Sequence, residues 1–248
     1  MKDYPLSAAT EDIRPLLSAG HFFPREKEEL SARLAETAAG AHPGKPVKGR
    51  AALVPQGALN YSGSGLLWAL QQLPLSSARA IVIMAKVHRE NEETIWFPDY
   101  SGFHTPFGIL PVDRDTLDSI SETGNIFRLG RIPFEEEPCF DLILSALASF
   151  NYTAPVLPVL FGSATDSLLQ SGLYMLEELL PEYLPLVSAN FVKKPESGMI
   201  QAQGEDFLLK LLETHFHAPP DRWYHGESPQ YCAALWQASQ SKSPEKAE

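Results

Sequence analysis

The chain has 248 residues and a net charge of −11, with 44% hydrophobic and 21% charged residues. The acidic balance excludes a nucleic-acid binder, which needs clustered Lys and Arg against phosphate, and argues equally against an anionic membrane surface. No apolar run reaches the ~20 residues that span a bilayer, and Met1-Lys2-Asp3-Tyr4-Pro5 lacks the apolar core of a signal peptide, so a cytoplasmic location is expected.

Pro24 followed by Arg25-Glu26-Lys27-Glu28-Glu29 opens a helix that turns Leu30 and Leu34 to one face, and Gly40-Ala41-His42-Pro43-Gly44-Lys45-Pro46 ends it. Ala51-Ala52-Leu53-Val54 is a short continuous apolar run, the pattern of a strand covered on both faces. Gly63 and Gly65 lead into a helix with Leu66, Leu67, Leu70 and Leu73. Residues 80–84 and 94–97 read as strands, and Asp113 to Glu122 as a helix with Leu117 and Ile120 inward. Glu135-Glu136-Glu137 precedes Pro138, where carboxylates complement the dipole of a helix running to Phe150. Residues 156–161 form a strand stopped by Gly162, Leu168 to Leu180 an amphipathic helix, and residues 184–188 another strand. Two helices, Glu205 to Phe216 and Gln230 to Gln240, close the chain.

Strands alternating with helices predict an α/β fold with a mostly parallel central sheet and helices on both faces. Residues 1–240 are expected to form one domain, and 241–248 a disordered tail. Ligands of such sheets bind beyond the carboxyl ends of the strands. The loops after Val54, Met84 and Ser188 are therefore the places to look.

Gln56 follows the first buried strand, with Asn60 and Tyr61 between glycines. Two readings stand: a capped strand-to-helix turn, or a loop bent over a pocket by Gly57, Gly63 and Gly65. His88 ends the second strand, and His225 lies before Gly226 in a turn leading to the last helix. Asp141 sits on the helix after Pro138, facing the pocket or water. His215 and His217 read as exposed caps at a helix end. Cys139 and Cys232 read as buried packing residues, too few for a disulfide framework. No HExxH, GxSxG, P-loop or dinucleotide fingerprint is present.

Four blocks in order carry a family resemblance: Arg14 through Pro24, Val54 through Gly63, Ile83 through Arg89, and His225-Gly226-Glu227-Ser228-Pro229. They resemble the Memo family, also called AmmeMemoRadiSam system protein B, which is similar in fold to class III extradiol dioxygenases. Arg14, Ala19, Gly20, Phe22 and Pro24 match its opening block, and Pro55, Tyr61, Ser62 and Gly63 match PHAGYxYSG. Thr105-Pro106-Phe107-Gly108 and Pro158-Val159-Leu160-Phe161-Gly162 agree as well.

The resemblance also locates the departures. The family's histidine in PHAGY is Gln56, GPSHH reads Ala85-Lys86-Val87-His88-Arg89, and EHSLEVQ has become Glu137 through Ile143, with Asp141 for its second glutamate. SSDFCHWG reads Ser188-Ala189-Asn190-Phe191, and the TCG cysteine aligns with His225. What the resemblance implies is a degenerate metal site. The expected pocket residues are Gln56, Asn60, Tyr61, His88, Asp141 and His225, binding a small molecule or a protein partner and no resident cofactor. The alternative is a redox enzyme holding Fe or Cu through His88 and His225, with Gln56, Asp141 or Glu227 as third ligand.

Overall fold

The computed structural model describes residues 12–41, 48–88, 92–193, 200–202, 206–226 and 231–237. In chain order the elements are β1 (Ile13–Arg14), α1 (Lys27–Gly40), β2 (Gly49–Val54), α2 (Leu59–Leu70), β3 (Ile81–Lys86), β4 (Ile95–Pro98), β5 (Gly102–Thr105) and β6 (Gly108–Pro111). Then come α3 (Arg114–Ser121), β7 (Phe127–Gly130), α4 (Ile132–Glu136), α5 (Cys139–Ser149), β8 (Val156–Phe161), α6 (Asp166–Tyr174) and β9 (Leu184–Ser188). The chain continues through β10 (Phe191–Lys193), β11 (Ile200–Ala202), α7 (Asp206–Phe216), β12 (Arg222–His225) and β13 (Cys232–Gln237).

Eight strands form the central sheet, in the order β12-β13-β2-β9-β3-β8-β4-β7. Its centre, β2, β9, β3 and β8, is parallel. Antiparallel pairing appears on either side, where β13 meets β2 and β12, and where β4 meets β8. Residues 94–97, expected as a strand, correspond to β4, and the other four apolar runs expected as strands make up the parallel centre. Each is buried along its length from Ala51, Ile81, Val156 and Leu184 onward, which requires cover on both sheet faces. The helices form two groups: α1 and α5 pack on α2, which lies on β2 and β13, while α6 and α7 pack together, with α7 against β3. Each fully buried Leu, Ile or Val contributes about 1.5–3 kcal/mol, and that sheet core dominates the fold's cohesion.

Three expectations need correcting. Within the segment read as a closing helix, Gln230 to Gln240, the described residues hold strand β13, buried from Cys232 to Trp236 between β12 and β2. A strand covered on both faces shows no alternation, and Ala233, Ala234 and Leu235 are good helix formers, so the local signal points the wrong way. Helix α2 starts at Leu59, so Gly63 and Gly65 lie inside it rather than ahead of it. A Cβ on Gly65 would come within 3.0 Å of the Pro55 ring, and one on Gly63 within 2.6 Å of Leu59 Cδ1. Those glycines serve close packing and do not bend a loop. Finally, the helix read through Leu180 gives way to one π turn, Met175–Leu179.

A smaller sheet, β1-β5-β6, was not anticipated. Its hairpin turns at Thr105-Pro106-Phe107-Gly108, where Gly108 has φ +128° and the Thr105 hydroxyl donates to the Gly108 carbonyl at 2.7 Å. Neither cysteine forms a disulfide with the other, and Cys232 is buried and Cys139 partly so. The tail 241–248, and 42–46 of the loop read after α1, lie outside the described residues.

Candidate functional site

The parallel centre brings three loops to one edge. Gln56 lies two residues past β2, Asn190 two past β9, and His88 two past β3, and these strands are neighbours. The Gln56 backbone N–H donates to Asn190 Oδ1 at 3.1 Å, tying the first two loops together. Gly57, at φ +125°, turns the chain into α2, and the Ser62 hydroxyl donates back to the Gly57 carbonyl at 3.1 Å. Of the two readings of this segment, the strand-to-helix turn describes its backbone.

His88 is held from below by Glu137. Oε1 accepts the His88 backbone N–H at 2.7 Å and Oε2 lies 2.9 Å from Nδ1. Glu137 is 5% exposed, whereas the imidazole is 55% exposed, so a buried carboxylate orients a ring that reaches solvent. The acidic run therefore does more than complement a helix end. Glu135 accepts from the Tyr100 hydroxyl at 2.8 Å, and Glu137 faces the strand ends.

Asp141 is only 2% exposed and its oxygens are all engaged. Oδ1 pairs with Arg14 Nη1, itself buried, while Oδ2 accepts from the Leu17 and Ser18 backbone N–H groups at 2.9 and 2.8 Å and from the Ser18 hydroxyl at 2.9 Å. Arg14 Nε also donates to the Phe134 carbonyl at 2.8 Å. The opening block thus matches a buried anchor for the 14–18 loop.

Asn60, Tyr61 and His225 meet elsewhere. They line a polar groove of ≈ 630 Å³ between α1, α2 and the β12–β13 hairpin, with Arg33, Glu36, Ser64, Tyr224 and Tyr231 in its walls. Arg33 Nη2 donates to Asn60 Oδ1 at 3.1 Å across the two helices, and Tyr61 is 61% exposed. His225 is on the edge hairpin, not in a turn before a helix, and its Nδ1 lies 3.4 Å from Cys232 Sγ. A second hollow of ≈ 650 Å³, bounded by residues 20–26, continues the groove through Arg33, Leu59 and Asn60.

A Memo-like protein family model matches residues 14–190. The chain belongs to the Memo-like family. A MEMO1 family protein of Aquifex aeolicus (strain VF5) is 26% identical over 108 residues, which are 44% of this Memo-like chain and 39% of that relative. The chain thus spans about two fifths of the length of the curated relative it matches. The family match takes in Gln56, Asn60, Tyr61, His88 and Asp141 and stops short of His225.

The expected His88–His225 metal pair does not fit this geometry. Along the sheet, β12 and β3 are separated by β13, β2 and β9, so the two strand ends stand four spacings of about 4.8 Å apart, roughly 19 Å. One ion needs both ring nitrogens within about 2 Å of itself, beyond the reach of two imidazoles over that span. Among the described residues no group of three His, Cys, Asp or Glu side chains is placed to hold a metal. His215 and His217 end α7, with His217 exposed at φ +51°, while His215 is half-buried and 3.7 Å from Glu177. Sequence reasoning missed the Glu137 clamp and the Asn190 link. Both sit in blocks that were legible as family motifs, but only their partners' proximity in space gives them a role.

Proposed function

We propose that this Memo-like chain binds a small polar ligand in the groove between α1, α2 and the β12–β13 hairpin. The supporting observation is the convergence of Asn60, Tyr61 and His225 on one polar concavity whose ≈ 630 Å³ volume falls in the usual range of ligand pockets. Arg33 sets the orientation of Asn60, and the tyrosines offer flat faces with hydroxyl donors. A thermal-shift screen of polar metabolites against the full chain tests this reading. A ligand is expected to stabilise the wild type and to lose its effect in both Asn60→Ala and His225→Ala. A hit that persists in both variants, or binding only of protein partners, would move the function away from this groove.

A second reading, a metal-dependent redox enzyme using non-haem Fe or Cu, is favoured by one observation, the Glu137–His88 pair. Metal-ligating imidazoles commonly have their other nitrogen on a carboxylate. Anaerobic loading with Fe(II), Cu or Zn followed by metal analysis separates the readings. Stoichiometric metal lost in His88→Ala would favour the second.

A further inference from the structure

The small β1-β5-β6 sheet has an unusual outward face. On β5 and β6 the side chains alternate: Phe103 and Leu110 point into the core, while His104 and its cross-strand partner Ile109 point out. Gly102 has no side chain, and a Cβ there would stand 2.8 Å from Ile109 and 3.2 Å from Ile13. The two isoleucines therefore close over it and form an apolar floor. Pro15, Leu16 and Ala19 from the loop anchored by Asp141 form a facing wall, bounding an open hollow of ≈ 510 Å³. An exposed sheet face would ordinarily be polar. Here, His104 apart, it is apolar and concave, with Ile109 left 55% exposed.

One wall is charged. Arg25 lines this cavity, and its guanidinium lies over Gly20 with Nη2 donating to the Ala19 carbonyl at 3.3 Å. Among the described residues Arg25 has no carboxylate partner, unlike Arg14, Arg33, Arg79, Arg114, Arg128 and Arg131. Lys27 adds a second positive charge nearby, with Nζ 5.9 Å from the centre of the Phe107 ring in the β5–β6 turn. Glu26 and Glu29, together with Arg25 itself, line the second hollow that continues the polar groove.

A mostly apolar hollow with an oriented guanidinium at one wall and the His104 ring as its other polar group matches one ligand chemistry. We propose that this cavity binds an amphipathic monocarboxylate, its aliphatic or aryl body on Ile13, Leu16 and Ile109 and its carboxylate on Arg25. The planar guanidinium fork suits a carboxylate, and apart from Arg25 and His104 the lining is apolar, which suits a ligand with one charged end. This site shares Arg25 with the second hollow but no residue with the ≈ 630 Å³ groove, and it does not depend on the ligand proposed there.

Calorimetric titration of the full chain with sodium octanoate and with 1-octanol tests it. Octanoate should bind saturably at one site, with octanol weaker by about tenfold or more, the worth of a hydrogen bond to a charged group. Arg25→Gln should weaken octanoate by a similar factor and leave octanol unchanged, whereas Ile109→Asn should weaken both. Both residues are exposed, so neither change threatens folding. No saturable octanoate binding up to its solubility limit, equal affinity for octanol, or an Arg25→Gln variant that binds octanoate like wild type would each overturn the assignment.

Discussion

Glu137 grips His88 at two points, the backbone N–H through Oε1 at 2.7 Å and ring Nδ1 at 2.9 Å through Oε2. The first bond fixes the end of β3 and the second fixes the ring, so one buried carboxylate sets both the loop and the imbalance of exposure across the pair. Glu137→Ala removes both acceptors and should lower stability by about 1–3 kcal/mol in urea denaturation. Glu137→Gln keeps an amide oxygen for the backbone bond and should lose less. Equal losses in the two variants would show that the charge, not the geometry, holds the loop.

The Arg14–Asp141 pair is buried on both sides, at 1% side-chain exposure each. Removing either partner strands a charge in the interior. Asp141→Ala should therefore cost about 3–5 kcal/mol, read from the urea midpoint. Arg14→Met combined with Asp141→Leu should cost less than the sum of the single changes, because no charge is left behind, although the Leu17 and Ser18 N–H groups still lose their acceptor.

The glycines of α2 separate two kinds of crowding. At Gly65 the obstacle is the rigid Pro55 ring, so Gly65→Ala should destabilise by about 1–3 kcal/mol despite the helix-propensity gain. At Gly63 the nearest atom is the end of the Leu59 side chain, which can rotate, so Gly63→Ala should stay within about 1 kcal/mol of wild type. Thermal unfolding of the two variants side by side reads the difference.

Burial pushes the His215 imidazole below its ordinary value, with Arg50 and His217 acting the same way and Glu177 opposing them. The folded protein thus resists protonating a group that the unfolded chain protonates near pH 6.5. The resulting stability is present above that pH and is lost as pH falls through the depressed folded value. The urea midpoint should drop as pH falls from above 6.5 to below it, and His215→Gln should flatten that part of the profile. An unchanged slope would place the pH sensitivity in other groups.

Much of the architecture was legible because the parallel strands are continuous apolar runs bounded by turn residues. Val54, Phe161 and Ser188 end their strands as expected, and β3 runs two residues past the expected end at Met84. The same rule failed at Cys232 to Trp236, where an equally apolar run carries helix-favouring residues and only the neighbouring β2 and β12 decide its form. His225 was misplaced with it. Gln56 and His88 were found as strand-end residues, since their position follows from local pattern. Asp141 was found as a carboxylate on the right helix, but its engagement depends on Arg14, 127 positions away, which no local pattern reports.

Strand β13 pairs with β2, so residues 232–237 complete a sheet begun at residues 49–54. During synthesis the edge of β2 waits, unpaired and apolar, while the intervening chain emerges, and such edges invite association with other chains. Truncations or premature stops before Gln237 are therefore expected to yield aggregating fragments rather than a smaller working fold. For this protein the vulnerable interval lies on the ribosome, and its length is set by where the closing strand falls in the chain.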